Sequence, residues 1–108
     1  MAKLGNSSSV ENYIVTTKTE LSNHPNPFNP STTIEFSIQN NSKVELSIFN
    51  IKGQKIKSIT NCVYAAGNYS KIWNGDDEAG KAVSSGIYYY QLKINDKTEV
   101  VKKCMLLK

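Results

Sequence analysis

His24 is the only histidine and therefore the first residue to consider for catalysis, because a serine or cysteine nucleophile needs a nearby base. It opens the segment His24-Pro25-Asn26-Pro27-Phe28-Asn29-Pro30, where three prolines in six residues favour an extended loop. A catalytic base also needs a partner that orients its ring, and this segment offers none nearby in sequence. We therefore expect His24 to be a surface or loop-packing residue and the chain not to be an enzyme.

The acidic run Asp76-Asp77-Glu78 is the second candidate for chemistry, as a calcium site. Calcium loops alternate their ligands along the chain so that the carboxylates converge, whereas consecutive carboxylates diverge. We expect these acids to cap a turn, with calcium binding as the alternative. The sequence contains no phosphate-binding loop, dinucleotide fingerprint or zinc pair, so we expect no cofactor and no metal.

The two cysteines, Cys62 and Cys104, have no metal-ligand spacing. In an exported protein they could form a disulfide. Alternatively they remain two separate thiols, with Cys104 acting as a small apolar core residue.

The positive charge comes from thirteen lysines, and arginine is absent. Because bidentate recognition of phosphate or guanine favours the guanidinium group, we expect no nucleic-acid partner. Residues 20–96 carry seven lysines and seven acids, whereas residues 97–108 carry four lysines and one acid. The excess of three positive charges therefore lies at the end of the chain. Lys52, Lys55 and Lys57 form a smaller cluster, interpreted as solvated lysines along a strand rather than a binding patch.

The composition indicates an all-β protein. Val, Ile and Thr total 24 residues against 11 for Ala and Leu, and branching at Cβ favours strands over helices. Apolar and polar residues alternate over 33–38, 44–48 and 87–94, and further strand patterns occur at 55–60, 69–73 and 98–107. About seven short strands separated by turns predict an Ig-like antiparallel β-sandwich of two sheets in a single domain.

Residues 1–19 are interpreted as a largely flexible linker from a parent protein, and 20–108 as the folded domain. Within the linker, Tyr13-Ile14-Val15 could add an edge strand. The first residues contain no apolar stretch typical of a signal peptide. We therefore expect either a cytosolic protein or a piece of a longer chain whose signal lies elsewhere. No apolar run is long enough for a transmembrane segment.

The aromatic residues could form a platform for sugar binding, which makes a carbohydrate-binding module one alternative. The candidates are Tyr64, Tyr69, Trp73 and the run Tyr88-Tyr89-Tyr90. In a small sandwich a single tryptophan usually fills the core, and alternation places Tyr88 and Tyr90 on the same face. This interpretation leaves Tyr89 pointing outward.

Five segments resemble, in order, the motifs of the C-terminal sorting domains of the type IX secretion system, of which this chain is identified as a member. The first is Asn23 to Ile34, which contains the proline-rich loop. The others are Phe49 to Gln54, Gly67 to Gly80 with Trp73-Asn74-Gly75, Ser85 to Leu92, and the lysine-rich Lys102 to Lys108. Two positions depart from the family pattern, since His24 replaces a tyrosine and Cys104 a methionine.

The resemblance implies an Ig-like domain at the C-terminus of a larger cargo protein of a Gram-negative bacterium. Such a cargo reaches the periplasm on an N-terminal signal peptide. The folded domain is then recognised by the type IX translocon, and the cargo crosses the outer membrane to be secreted or attached at the cell surface. The implied partners are the translocon and the attachment machinery, and the domain is commonly cleaved off.

The resemblance also implies candidate residues for recognition by the translocon. Pro25, Pro27 and Pro30 would stiffen the first loop, and Gly86 would adopt a backbone geometry that a Cβ disfavours. Lys102, Lys103 and Lys108 would display positive charge, or would simply protect an edge strand from pairing. The full set is Pro25, Pro27, Phe28, Pro30, Gly86, Tyr88, Lys102, Lys103 and Lys108.

A second family offers an alternative with the same fold. The flagellar hook-assembly protein contains an Ig-like domain with a similar proline-rich opening, and related sandwiches act as structural spacers. In this alternative the chain would be an interaction or spacer domain.

Overall fold

The computed structural model describes residues 19–108, and in this range every regular element is a β-strand. The strands are β1 (Glu20–His24), β2 (Thr32–Ile38), β3 (Ser42–Phe49), β4 (Lys55–Tyr64), β5 (Gly67–Trp73), β6 (Gly86–Ile94) and β7 (Lys97–Leu106). The predicted strand at Tyr13-Ile14-Val15 lies outside the described residues, as does the predicted linker except for Thr19. Nothing in the described range is a helix that could cross a membrane.

Two antiparallel sheets form the sandwich. The smaller sheet has the order β1-β2-β5, and the larger one has the order β4-β3-β6-β7. This arrangement confirms the predicted all-β sandwich of seven strands in two sheets. β1 is an edge strand of the smaller sheet and β7 an edge strand of the larger one. The two strands contact each other, so they border the sandwich on the same side.

The core is built from the alternating residues of the strands, as the sequence predicted. The alternating apolar residues of β2 and β3 are buried. In β2, Thr33 and Glu35, which alternate with these apolar residues, are more exposed. The same alternation buries Tyr88, Tyr90 and Leu92 in β6. The buried apolar residues are Leu21, Phe28, Ile34, Phe36, Ile38, Val44, Leu46, Ile48, Trp73, Tyr88, Tyr90, Leu92, Cys104 and Leu106.

Two tight turns have the predicted chemistry. Asn95 and Asp96, between β6 and β7, both have positive φ, as a two-residue hairpin turn requires. The hairpin between β3 and β4 turns at Gly53, which also has positive φ. Strand β4 is longer than expected, because its pairing with β3 continues past Thr60 to Tyr64.

Candidate functional site

Parts of all five motifs meet at one end of the sandwich, which we call the motif end, although the third motif begins at the opposite end of β5 with Gly67. Here β1 ends at His24, β2 begins at Thr32 and β5 ends at Trp73 in one sheet. In the other sheet, the β3–β4 turn, the beginning of β6 and the end of β7 lie at the same end. Segments far apart in sequence therefore form one continuous region of the molecule.

Three aromatic rings fill the interior of the motif end. Phe28 packs at a tilt on Trp73 with ring centroids 5.4 Å apart, and Trp73 packs edge-on against Tyr88 at 5.3 Å. The indole N–H of Trp73 donates to the carbonyl oxygen of Asp76, 2.8 Å away, and the Tyr88 hydroxyl donates to Ser84 O. Buried polar atoms of the rings are thus satisfied by loop backbone, which ties the loops to the core.

The proline-rich loop covers the outer edge of β7. Phe28 N donates to Met105 O, and Leu107 N donates to Phe28 O, both at 2.9 Å. The Asn26 side chain accepts a hydrogen bond from Met105 N and reaches Lys103 O. Because an uncovered edge strand invites pairing with another chain, this loop protects the C-terminal half of β7.

Close packing holds the loop after β5 against the proline loop. Gly75 has a φ of +70°, and a Cβ placed there would lie 2.9 Å from Pro30 O and 3.4 Å from a Leu106 methyl group. Glycine is therefore required at this position both by backbone conformation and by space.

A chain of hydrogen bonds connects the two sheets at the motif end. The Tyr90 hydroxyl donates to Asn23 Oδ1 at 2.8 Å, and Asn23 Nδ2 donates to Thr32 Oγ1. The Thr32 hydroxyl in turn donates to Pro25 O at 2.9 Å. Burial of Tyr90 raises its pKa to about 12, with a smaller contribution from Cys104.

The last residue of the chain is held by the motif at the start of β6. Lys108 N donates to Ser85 Oγ at 3.0 Å. Next to Ser85, Gly86 has a φ of +153°, and a Cβ there would meet no neighbouring atom. The demand for glycine at this position is therefore conformational rather than steric, in agreement with the role expected from the sequence.

The two neighbouring lysines of the terminal motif lie on opposite faces of the sheet. Lys103 pairs with the outward-facing Tyr89, whereas Lys102 pairs with the buried Tyr90. Lys102 stays exposed because it sits at the open edge between β1 and β7, beside Leu21. We expected both lysines to contribute to one charged surface. Because side chains alternate along β7, they lie on opposite faces of the sheet instead.

The β3–β4 turn forms a groove with the beginning of β6. Asn50 organises the turn, because its side-chain oxygen accepts hydrogen bonds from the backbone N–H groups of Lys52 and Gln54. The groove has a volume of about 340 Å³. Its lining is Asn50, Ile51, Lys52, Gln54, Ser84, Ser85, Gly86, Ile87 and Tyr88.

Only some of the predicted recognition residues are exposed to a partner. Phe28 and Tyr88 are buried in the aromatic interior and can act only by holding other residues in place. The prolines and the three lysines are exposed, and Gly86 is partly exposed. They are Pro25, Pro27, Pro30, Lys102, Lys103 and Lys108.

His24 has a polar neighbour that the sequence did not reveal. Its Nε2 atom lies 3.3 Å from a Glu35 carboxylate oxygen, and both side chains are more than half exposed. The contact arises because the antiparallel pairing of β1 and β2 brings residues eleven positions apart onto neighbouring strands.

The acids of the run Asp76-Asp77-Glu78 point to separate partners. Asp76 pairs with Lys57 at 2.9 Å, and Glu78 accepts a hydrogen bond from Ser58 N. Asp77 Oδ1 accepts hydrogen bonds from Ala79 N and Lys81 N, which confirms the predicted turn-capping role for this residue.

The lysine cluster after the β3–β4 turn is partly paired. Lys57 bonds to Asp76, and Lys55 bonds to Glu45 at 2.9 Å. The hydrogen bond from Lys55 is the main cause that lowers the pKa of Glu45. Two of the three lysines therefore belong to local ion pairs.

The cysteines are two free thiols, Cys62 exposed and Cys104 buried. They lie on opposite edge strands of the larger sheet, about 14 Å apart across the sheet alone, and Cys62 is level with Ile94 of β6 whereas Cys104 is level with Tyr88. A disulfide requires Cα atoms within about 7 Å. This excludes the disulfide alternative and confirms Cys104 as a core residue. Burial raises the pKa of its thiol to about 11.

Most of the aromatic residues considered for sugar binding are in the core. Trp73, Tyr88 and Tyr90 are buried. Tyr64 and Tyr69 are partly buried and pack on each other and on Phe36, with centroids 4.6 to 5.6 Å apart. This packing favours the structural interpretation over a sugar platform.

Sequence comparison identifies the family. A family model for the CHU_C type IX secretion signal domain matches residues 15–107. The chain belongs to this family. No curated protein matches the chain. As a type IX secretion signal domain, it marks a cargo of the type IX system for export across the outer membrane, to the cell surface or the medium.

Three solved structures with low sequence identity share the fold. The chain superposes on latent PorU from Porphyromonas gingivalis with a TM-score of 0.71 and 17% identity, covering 82% of this chain and 9% of PorU. PorZ, a surface component of the type IX system of the same organism, gives 0.52 and 18%, covering 82% and 11%. FlgD from P. aeruginosa gives 0.53 and 19%, covering 83% and 76%. The chain thus spans about a tenth of PorU and of PorZ.

One surface of the motif end was not predicted from the sequence. Phe49 pairs with Tyr89, and Ile87 pairs with Met105, so these four side chains share the outer face of the larger sheet. Alternation along β6 indicated that Tyr89 points outward. The pairing of β6 with β3 and β7, which places the other apolar residues beside it, could not be derived from either segment alone.

Proposed function

We propose that residues 20–108 form a folded export signal that the type IX translocon recognises at its motif end, and that residues 1–19 link this signal to a cargo protein. The observation that carries the proposal is that parts of all five motifs, distant in sequence, meet at one end of the sandwich. A fold needs stabilising contacts throughout its length, so stability alone gives no reason for the motifs to gather at one end.

The candidate residues divide into two roles in this proposal. Phe28 and Tyr88 hold the proline loop and the β6 motif in position from the core. Pro25, Pro27, Pro30 and Gly86 shape the loops around them, and Lys103 and Lys108 present positive charge. Lys102 has the alternative role considered from the sequence, protecting the uncovered part of the β7 edge from pairing.

We also infer that the domain is not an enzyme and that the attachment machinery acts on the cargo after translocation, removing the domain. The matched family is one of secretion signals. The contact between His24 and Glu35 lies on the exposed surface of the smaller sheet, away from the buried interior that the motifs share.

Export of a reporter tests the proposal. A periplasmic signal peptide and a fluorescent protein are placed before residues 1–108 in a type IX-competent bacterium, and the same fusion is expressed in a strain lacking the translocon. The expected result is fluorescence at the surface or in the medium of the competent strain only, and a shorter reporter on immunoblots after cleavage.

The matched control is the reporter without residues 20–108, which should remain periplasmic in both strains. If the complete fusion also stays in the periplasm of the competent strain while the domain is folded, the export proposal fails. A structural spacer would then account better for the fold shared with FlgD.

A further inference from the structure

The outer face of the motif end carries a row of apolar side chains that the core does not use. It consists of Phe49, Ile51, Ile87, Tyr89, Met105 and Leu107, which we call the apolar strip. Tyr89 is 36%, Met105 37%, Leu107 49% and Ile51 71% exposed. Single exposed apolar residues are ordinary, but a contiguous group on one face is typical of an interaction site.

Strand pairing makes the strip continuous. Tyr89 lies between Phe49 on β3 and Lys103 on β7, and Ile87 lies beside Met105 one row further toward the motif end. Ile51 lines the groove together with Ile87, so the strip extends into that depression. Leu107 continues the outward positions of β7 beyond Met105.

Lysines border the strip without acidic partners. Lys52 lies in the β3–β4 turn, Lys103 beside Tyr89, and Lys108 beside Ser85. The ion pairs found within residues 19–108 involve none of these three, although Lys43, Lys55 and Lys57 elsewhere are all paired. The border of the strip is therefore positively charged and uncompensated.

We propose that the apolar strip is the docking surface for a protein partner whose contact region is apolar and bordered by Asp or Glu side chains. This inference rests on the proposed function, since it identifies the face by which the export signal is recognised. Charge complementarity selects the partner, because acidic side chains around an apolar centre would neutralise Lys52, Lys103 and Lys108. A second copy of the chain would instead bring lysines against lysines.

The groove favours a protein over an anionic lipid surface as the occupant. A side chain of the partner can insert between the Asn50 turn and the beginning of β6, where polar groups lie beside apolar ones. Binding energy at protein interfaces concentrates where an anchor side chain fills such a depression.

Site-specific crosslinking in the exporting cell tests the proposal. The photoreactive residue p-benzoylphenylalanine is placed at position 89 of the reporter fusion, with position 105 as a second site within the strip. Position 63 is the control, because Val63 is 75% exposed on the same sheet face but pairs with Lys43, about 20 Å along β3 from Phe49. We expect one discrete protein adduct from positions 89 and 105 and none from 63.

The adduct is then analysed by mass spectrometry and by charge reversal. The crosslinked partner peptide should contain apolar residues flanked by Asp or Glu. Lys103→Glu should reduce the adduct about fivefold or more, as loss of an interface contact does, whereas Lys102→Glu on the opposite face should leave it unchanged. These two lysines are neighbours on one strand and both variants reverse the same charge. A difference between the variants therefore reports which face of the sheet binds the partner.

Three results would overturn the docking surface. They are equal adducts at positions 63 and 89, an adduct between two reporter chains, and binding of the purified chain to phosphatidylglycerol vesicles that is lost in Tyr89→Ser. Export of the unmodified fusion without any adduct at positions 89 and 105 would also contradict it while leaving the export function intact. Failure of the unmodified fusion to be exported would refute the proposed function itself.

Discussion

The two ends of the sandwich each contain a cluster of three aromatic rings, but the clusters have different surroundings. At the motif end, Phe28, Trp73 and Tyr88 are buried. At the far end, a second cluster contains Phe36 with the partly buried Tyr64 and Tyr69. Tyr69 belongs to the third motif, so aromatic packing by itself does not distinguish the end at which the five motifs meet.

The difference lies in what the rings hold. Trp73 donates a hydrogen bond to the backbone of Asp76 in the third motif, and Tyr88 donates one to the backbone of Ser84, next to the fourth motif. At the far end, the Tyr69 hydroxyl donates to Ala65 O in the short β4–β5 connection, and the Lys71 ammonium lies 5.9 Å from the Tyr64 ring. The far cluster closes the sandwich, whereas the motif-end cluster positions an exposed surface.

The largest difference in stability between the two aromatic clusters should come from truncating Trp73, the central ring of the motif-end cluster. Trp73→Ala should lower the free energy of unfolding by about 3–5 kcal/mol, because the buried ring leaves a cavity. Tyr69→Ala at the far end should cost about 1–2 kcal/mol, since its ring is only partly buried. Urea unfolding of both variants measures the difference, and equal losses would contradict it.

Raising the pH should destabilise the motif end, because the Tyr90 hydroxyl donates a hydrogen bond to Asn23 of the first motif. The folded-state pKa values of Cys104, about 11, and Tyr90, about 12, lie above the ordinary values of 9.0 and 10.0. The folded chain therefore holds these protons longer than the unfolded chain. The corresponding stability is complete below pH 9 and is lost as the pH rises toward 12, by roughly 2–3 kcal/mol per group.

Urea midpoints between pH 7 and 11 check this expectation. In Cys104→Val the loss that begins near pH 9 should be smaller, because the thiol contribution is absent. A midpoint that stays constant up to pH 11 in the unchanged chain would show that neither group is protected by folding.

Comparing alanine variants of Gly75 and Gly80 measures the energy of the contact between the loop after β5 and the proline loop. Gly75→Ala should lower the free energy of unfolding by about 2 kcal/mol or more, because its φ is +70° and the new Cβ would meet Pro30 O. Gly80→Ala has a similar φ of +79° and no neighbouring atom, so it should cost only about 1 kcal/mol. Thermal unfolding of both variants gives the difference, and an equal cost would mean that the loop contact adds nothing.

The sequence was sufficient for the fold class and for the positions of most strands along the chain. Period-two alternation in β2, β3 and β6 identified their buried faces, since one side of each strand must face the core. Asn95-Asp96 and Gly53 identified turns because few residues adopt positive φ.

The site was only partly predictable, because its geometry depends on which strands become neighbours. Local alternation placed Tyr89 outward but could not place Phe49 and Met105 beside it. The separation of Lys102 from Lys103 could have been read from alternation in β7, whose charged sequence obscures the pattern. The Glu35 partner of His24 depends on the register of β1 with β2, which no local signal specifies.

Export by two matched double variants tests most directly the central claim that the apolar strip of the motif end is the recognised surface. Ile51→Ser with Leu107→Ser removes exposed apolar side chains from the strip, and Val63→Ser with Ile72→Ser removes them elsewhere. As surface changes, both pairs should leave the free energy of unfolding within about 1 kcal/mol of the original. The account predicts that reporter export falls about fivefold or more for the first pair and is unchanged for the second. Equal export by the two folded variants would contradict it.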